Sequence, residues 1–114
     1  MQQVTWIKST TQNWLPLDGF SLDGVKTDGV YIIWHGGNPS RVVYVGQGDV
    51  SKRIASHRTD ARFKPYALYG LFVTWASLPA SHKDGVERHL ADTWSPLIGD
   101  AHPLAHPIAV NSPW

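Results

Sequence analysis

Arg53 and His57 stand four residues apart, so a helical segment carrying them would present both from one face, since positions i and i+4 stack one above the other. A guanidinium is a permanently charged planar fork that suits a phosphate or the charge of its transition state. An imidazole, with an ordinary pKa near about 6.5, accepts a proton around neutrality. Side by side the two suit phosphate-ester chemistry. Apart, they are an exposed helix cation and a satisfied, half-buried histidine. Two phenols, Tyr31 and Tyr44, lie within apolar runs, where alternation can aim both hydroxyls to one face of a sheet if the register allows. Glu87 sits beside Val86 and Leu90 at the edge of an apolar stripe. It is either a ligand for a hard cation, which takes oxygen donors, or a surface acid paired with Arg88 or Lys83. Between residues 52 and 64, Lys52, Arg53, Arg58, Arg62 and Lys64 face one acid, Asp60, which makes either a local basic surface for phosphates or a solvated helix face.

Other chemistries fare worse. The absence of cysteine excludes a disulfide framework, thiolate zinc sites and a cysteine nucleophile. His82, His89, His102 and His106 invite a zinc reading, but His102-Pro103 and His106-Pro107 are turn dipeptides, and zinc is not expected. Gly46-Gln47-Gly48 lacks the rest of any phosphate-loop or dinucleotide pattern. A formal net charge of +1 carries no argument for nucleic acid without a patch. Residues 1–10 hold no apolar stretch like a signal peptide, and no run approaches the roughly 20 apolar residues that cross a bilayer. The expectation is a cytoplasmic protein with no membrane partner.

The elements that must hold these residues follow from periodicity and punctuation. With 114 residues and 42% hydrophobic content, one domain is expected, its core supplied mainly by aromatic side chains. Residues 29–35 (GVYIIWH) and 41–46 (RVVYVG) are β-branched and aromatic, separated by Gly36-Gly37-Asn38-Pro39-Ser40, which predicts a hairpin closed by Gly46-Gln47-Gly48. Asp49 or Ser51 caps a helix to about residue 60 with Val50, Ile54 and Ala61 inward. Residues 67–75 form a third strand, near-continuously apolar and therefore interior, with Gly70 as a bulge or close approach. Val86, Leu90 and Trp94 line one face of a helix over 81–94, and prolines at 96, 103, 107 and 113 leave a tail with at most one short helix. The first 28 residues, with two Leu-Asp-Gly turns, form an arm that packs its aromatics on the body. The fold class is α/β of the α+β type, a small three-stranded antiparallel sheet flanked by helices.

Gly29-Val30-Tyr31 reads as GIY and Tyr44-Val45-Gly46 as YIG; Lys52-Arg53-Ile54-Ala55-Ser56-His57 follows on a helix, then Glu87 on a later helix and Asn111 after Pro107. In this order the chain resembles the GIY-YIG nuclease superfamily over about residues 28–112, dividing it into an arm, 1–28, and a nuclease-like domain, 29–114. The resemblance implies a metal-dependent endonuclease that hydrolyses phosphodiester bonds, of DNA before RNA, with one divalent ion, Mg²⁺ or Mn²⁺. It makes Glu87 the metal ligand and the sole essential carboxylate, and Arg53 the clamp on the scissile phosphate. Tyr31 becomes base or water-positioner assisted by His57, Tyr44 a supporting hydrogen-bonder, and Asn111 a tether that orients the site, or otherwise a turn residue. Gln47, Lys52, Arg58, Arg62 and Lys64 are the expected nucleic-acid contacts. The chain departs from the pattern at Gln47, where many relatives carry Lys, and in the turn from Gly46 to Arg53, about a residue shorter than in the DNA-repair branch. Three readings follow: an endonuclease with a homodimer mate or partner protein supplying specificity, a silent nucleic-acid-binding module of the same fold, and a toxin or phage-associated nuclease held by an inhibitor.

Overall fold

A strand with apolar side chains on both faces needs cover on both. The segment Asp28–His35, buried at every residue after Asp28, has a strand on each side and helices over each face. The computed structural model describes residues 1–99 and 102–114. In chain order its elements are β1 (Leu15–Pro16), β2 (Asp28–His35), β3 (Arg41–Asp49), α1 (Val50–Arg58), a 3-10 turn (Ala61–Phe63), α2 (Lys64–Ala67), β4 (Leu71–Ser77) and α3 (Ala80–Trp94).

The sheet is antiparallel and has four strands in the order β1-β4-β2-β3, not the three expected. The additional strand comes from the arm, where Leu15 pairs with Val73 and Pro16 with Phe72. A two-residue edge strand containing proline carries no alternation, and proline is tolerated there because its missing N–H faces no partner. The arm is thus part of the sheet, and it is also joined to the tail by a parallel bridge between Gln2 and Val110. β3 runs on through Gly46-Gln47-Gly48, which pair with Tyr31, Val30 and Gly29 instead of closing the strand. β4 starts at Leu71 and not at 67, because Pro65 opens the short helix α2 that takes up Lys64–Ala67. Gly70, at φ +79°, is the left-handed residue that turns the chain into the strand, not a bulge inside it.

Two cores result. Over one face, Tyr31, Ile33, Val43, Tyr44, Val73 and Trp75 pack with Val50 and Ile54 of α1 and with Leu17 of the arm. Over the other, Val30, Ile32, Trp34, Val42, Val45 and Ala76 pack with Val86 and Leu90 of α3 and Val110 of the tail. The β2–β3 register slips between Ile33, opposite Tyr44, and Trp34, opposite Val42. This bulge lets consecutive residues Val43 and Tyr44 join the same core while Val42 joins the opposite one. Asp49 caps α1 by accepting from the Lys52 amide. The helix stops at Arg58, so Ala61 lies in the 3-10 turn, and its expected inward place is taken by His57. Among the described residues no helix is long and apolar enough to cross a membrane.

Arg58, expected to face nucleic acid, instead staples the arm. Its Nε donates to the Leu17 carbonyl at 2.7 Å, its Nη2 to the Phe20 carbonyl at 2.8 Å, and its guanidinium lies 4.8 Å from the Phe20 ring centre. Hydrogen bonds from a charged donor contribute about 1.5–3 kcal/mol, so Arg58→Ala is expected to destabilise the fold by about 2 kcal/mol. A lowered urea midpoint, together with faster proteolysis between residues 17 and 25, is the measurement that checks it.

Candidate active site

The site is organised around the Tyr31 phenol. On β2, Tyr31 is opposite Gly46 of β3, and its ring lies over the glycine where any side chain would stand: a Cβ at position 46 would fall 2.5 Å from the ring Cζ, with the hydroxyl closer still. Gly46 is therefore required by close approach and not by a left-handed backbone. α1 sets Arg53 and His57 over the phenol, as their spacing predicted. The Tyr31 hydroxyl and His57 Nε2 share a hydrogen bond of 2.7 Å, and Arg53 Nε donates to the same hydroxyl at 3.2 Å. Arg53 Nη2 reaches the Tyr44 hydroxyl at 3.4 Å, so one guanidinium spans both phenols, whose rings stack 6.0 Å apart at 17°.

Tyr31 is fully buried, Tyr44 and His57 nearly so, while Arg53 is exposed. Burial is the largest influence on the Tyr31 phenol and pushes it above its ordinary 10.0. The Arg53 hydrogen bond and charge pull it back without prevailing, and the Glu87 carboxylate pushes it further up. Tyr31 therefore stays protonated at neutral pH. Phe63 stacks on the His57 ring at 5.0 Å and 10°. The turn carrying Phe63 is capped by Asp60, which accepts from the Arg62 amide and binds its guanidinium. Those bonds hold the Asp60 carboxyl down at about 2.

Glu87 is buried on α3, and its Oε2 lies 2.9 Å from Nδ1 of His102 in the tail. The sequence offers His102 only as a turn histidine in a disfavoured zinc reading, not as a partner of Glu87. Nothing in spacing or periodicity links a tail histidine to a helical glutamate fifteen residues earlier. Among the described residues no three His, Cys, Asp or Glu side chains converge as a ready-made metal cage. A hard cation does not need one, since one or two protein donors completed by water and phosphate oxygens are enough.

The remaining expected residues scatter. Asn111 is a tether: its Oδ1 accepts from the Val4 amide at 2.7 Å, its Nδ2 donates to the Val4 carbonyl at 3.0 Å, and its own carbonyl accepts from Trp6 Nε1 at 2.9 Å. None of these bonds reaches Tyr31, Arg53, His57 or Glu87. Gln47 is tied to Asp84 at 2.6 Å and Arg62 to Asp60 at 2.8 Å. Lys52 and Lys64 are exposed. Of the five expected nucleic-acid contacts, then, these two lysines offer solvent-facing charge, Lys52 on α1 beside Arg53 and Lys64 at the start of α2. Compared with protein-family models, curated proteins and solved structures, the chain matches none.

Proposed function

We propose that this chain is a metal-dependent endonuclease that hydrolyses phosphodiester bonds in nucleic acid, DNA before RNA, with Mg²⁺ or Mn²⁺ as the ion. The observation that carries the reading is the exposed Arg53 guanidinium bridging two buried phenols, one of which is hydrogen-bonded to His57. Phosphodiester hydrolysis needs a proton taken from water, charge neutralised on the phosphoryl group, and help for the departing alkoxide. Glu87 is the residue to hold the ion, which when bound neutralises phosphate charge and makes its water more acidic.

The chain's own groups divide the rest. Arg53 has donors left beyond those used on the tyrosines, and these suit the scissile phosphate. Because burial keeps Tyr31 protonated, a standing phenolate is a poor base here. A relay fits better: Tyr31 takes a proton from the attacking water while passing its own to Nε2 of His57, so no buried phenolate need persist. Lys52 and Lys64 extend the positive surface along the nucleic-acid backbone. The Asn111 tether holds the tail against the arm and acts at most through the fold.

This relay makes a testable statement about pH. Tyr31→Phe is expected to lower single-turnover cleavage by roughly 10²–10⁴-fold, the usual worth of general base catalysis. Because the phenol does not itself titrate below its raised value, the wild-type rate should level off below pH 10.0. A wild-type rate still rising through pH 10.0 would show Tyr31 ionising as the base.

A silent nucleic-acid-binding module is the second reading, favoured by the complete enclosure of Tyr31 and by the engagement of Glu87 with His102. Incubating the purified chain with supercoiled plasmid, branched DNA and single-stranded RNA, in Mg²⁺, Mn²⁺ or EDTA, separates the two. Metal-dependent cuts are expected. Retardation of nucleic acid in a gel with no cleavage under any metal favours the silent module.

A further inference from the structure

Glu87 and His102 meet where neither has ready access to water: the side chains are 8% and 17% exposed, and Oε2 and Nδ1 are 2.9 Å apart. Two donors that each bind one ion at about 2.1 Å, at right angles, stand about 3.0 Å from each other. The 2.9 Å separation is that of a hydrogen bond and equally that of adjacent ligands of one cation, which would take the place of the shared proton.

The tail that carries His102 is anchored on both sides. Before it, the Leu97 amide donates to the Val42 carbonyl at 3.1 Å and the Ile98 amide to the Val43 carbonyl at 2.8 Å; after it, the Ile108 amide donates to the Gly85 carbonyl at 2.9 Å. The first two bonds fix it to β3 and the third to α3, the helix of Glu87. His102 is thus a positioned donor. A surface ion pair would need none of this, and pairs of that kind contribute little.

We propose that His102, through Nδ1, is a second protein ligand of the ion held by Glu87, giving a mixed nitrogen–oxygen site that prefers Mn²⁺ to Mg²⁺. The inference rests on the endonuclease reading and deepens it. Imidazole suits transition metals, whereas Mg²⁺ takes oxygen and gives up its waters reluctantly. Two protein donors leave the other coordination positions to water and phosphate, as a reacting site requires.

The test reads metal binding, not cleavage. Mn²⁺ and Mg²⁺ are titrated separately into the full chain by calorimetry, and bound Mn²⁺ is examined by pulsed electron paramagnetic resonance for coupling to a ligand nitrogen. His102→Gln keeps a polar partner for Glu87 and supplies an oxygen donor, so it guards against a merely unfolded tail; thermal melting confirms the fold. The wild type is expected to bind Mn²⁺ more tightly than Mg²⁺ and to show nitrogen coupling. His102→Gln should lose the coupling and weaken Mn²⁺ by at least the roughly 10–100-fold that loss of a ligand's hydrogen-bonded neighbour costs, with Mg²⁺ changed little. If Glu87→Gln alone weakens both ions and His102→Gln behaves as wild type without nitrogen coupling, His102 is only the carboxylate's partner and the inference falls while the endonuclease reading stands. Coupling that survives His102→Gln also overturns it, by pointing to another histidine. If the wild type binds neither ion, both fall together.

Discussion

Glu87→Gln is expected to lower cleavage by on the order of 10³-fold, equivalent to about 4 kcal/mol of transition-state stabilisation. The chain should nevertheless fold and melt close to the wild type. The two expectations rest on different properties of one side chain. Gln has nearly the volume of Glu, and its amide oxygen can still accept from His102 Nδ1, so the buried contact at 2.9 Å survives. The negative charge that would hold a cation does not. Loss of the charge also removes one of the influences that push the Tyr31 phenol up, so the change cannot slow the reaction by making Tyr31 harder to ionise. Glu87→Ala is a poorer test, since it leaves a half-buried imidazole without its partner and a cavity on α3, each costing stability for reasons unrelated to metal. Single-turnover cleavage of plasmid and thermal melting, measured on the same preparation, decide the matter. Cleavage by Glu87→Gln within about tenfold of wild type would remove the carboxylate from the site.

The parts of this arrangement that were legible in the sequence are those fixed by short-range geometry. Arg53 and His57 were placed together by the four-residue repeat of a helix face, and they meet over one phenol. Residues 29–35 and 41–46 announced a hairpin because β-branched and aromatic runs flank a turn rich in glycine. Long-range placement was not legible. The β1 strand owes its existence to β4, which offers it an edge, and two residues hold no period to detect. Arg58 reads as part of the basic surface because a sequence shows charge but not whether backbone carbonyls wait nearby; those of Leu17 and Phe20, some forty residues earlier, claim it. His102 was lost for the same reason: tail bonds to Val42, Val43 and Gly85 bring it to Glu87, and no local pattern encodes them. The bulge opposite Ile33 and Trp34 belongs to this class too, although it decides how Val43 and Tyr44 both come to face α1.

Gly46→Ala tests the closest packing in the site with a readout that does not require the proposed activity. The added Cβ would lie 2.5 Å from Tyr31 Cζ and 2.9 Å from Cε1, well inside the carbon–carbon optimum of about 3.5–4.0 Å. The ring has little room to yield. It is fully buried, stacked near Tyr44, and held at its hydroxyl by His57 and Arg53. Overpacking of this kind costs about 1–3 kcal/mol, to be read as a lowered urea midpoint with an unchanged slope. Because a displacement of about 1 Å can cost 10²-fold in rate, cleavage should fall by roughly that factor or more. The double variant Gly46→Ala/Tyr31→Phe tells a clash from a general weakening of β3. Removing the hydroxyl takes away the atom nearest the new methyl, so the two changes together should destabilise by less than their sum. Residues that share no packing add within about 0.3–0.5 kcal/mol. Additivity at that level would mean that the cost of the methyl comes from a general weakening of β3 and not from its meeting the Tyr31 hydroxyl; a clear shortfall would place the missing side chain of Gly46 among the features that let the phenol lie beneath Arg53.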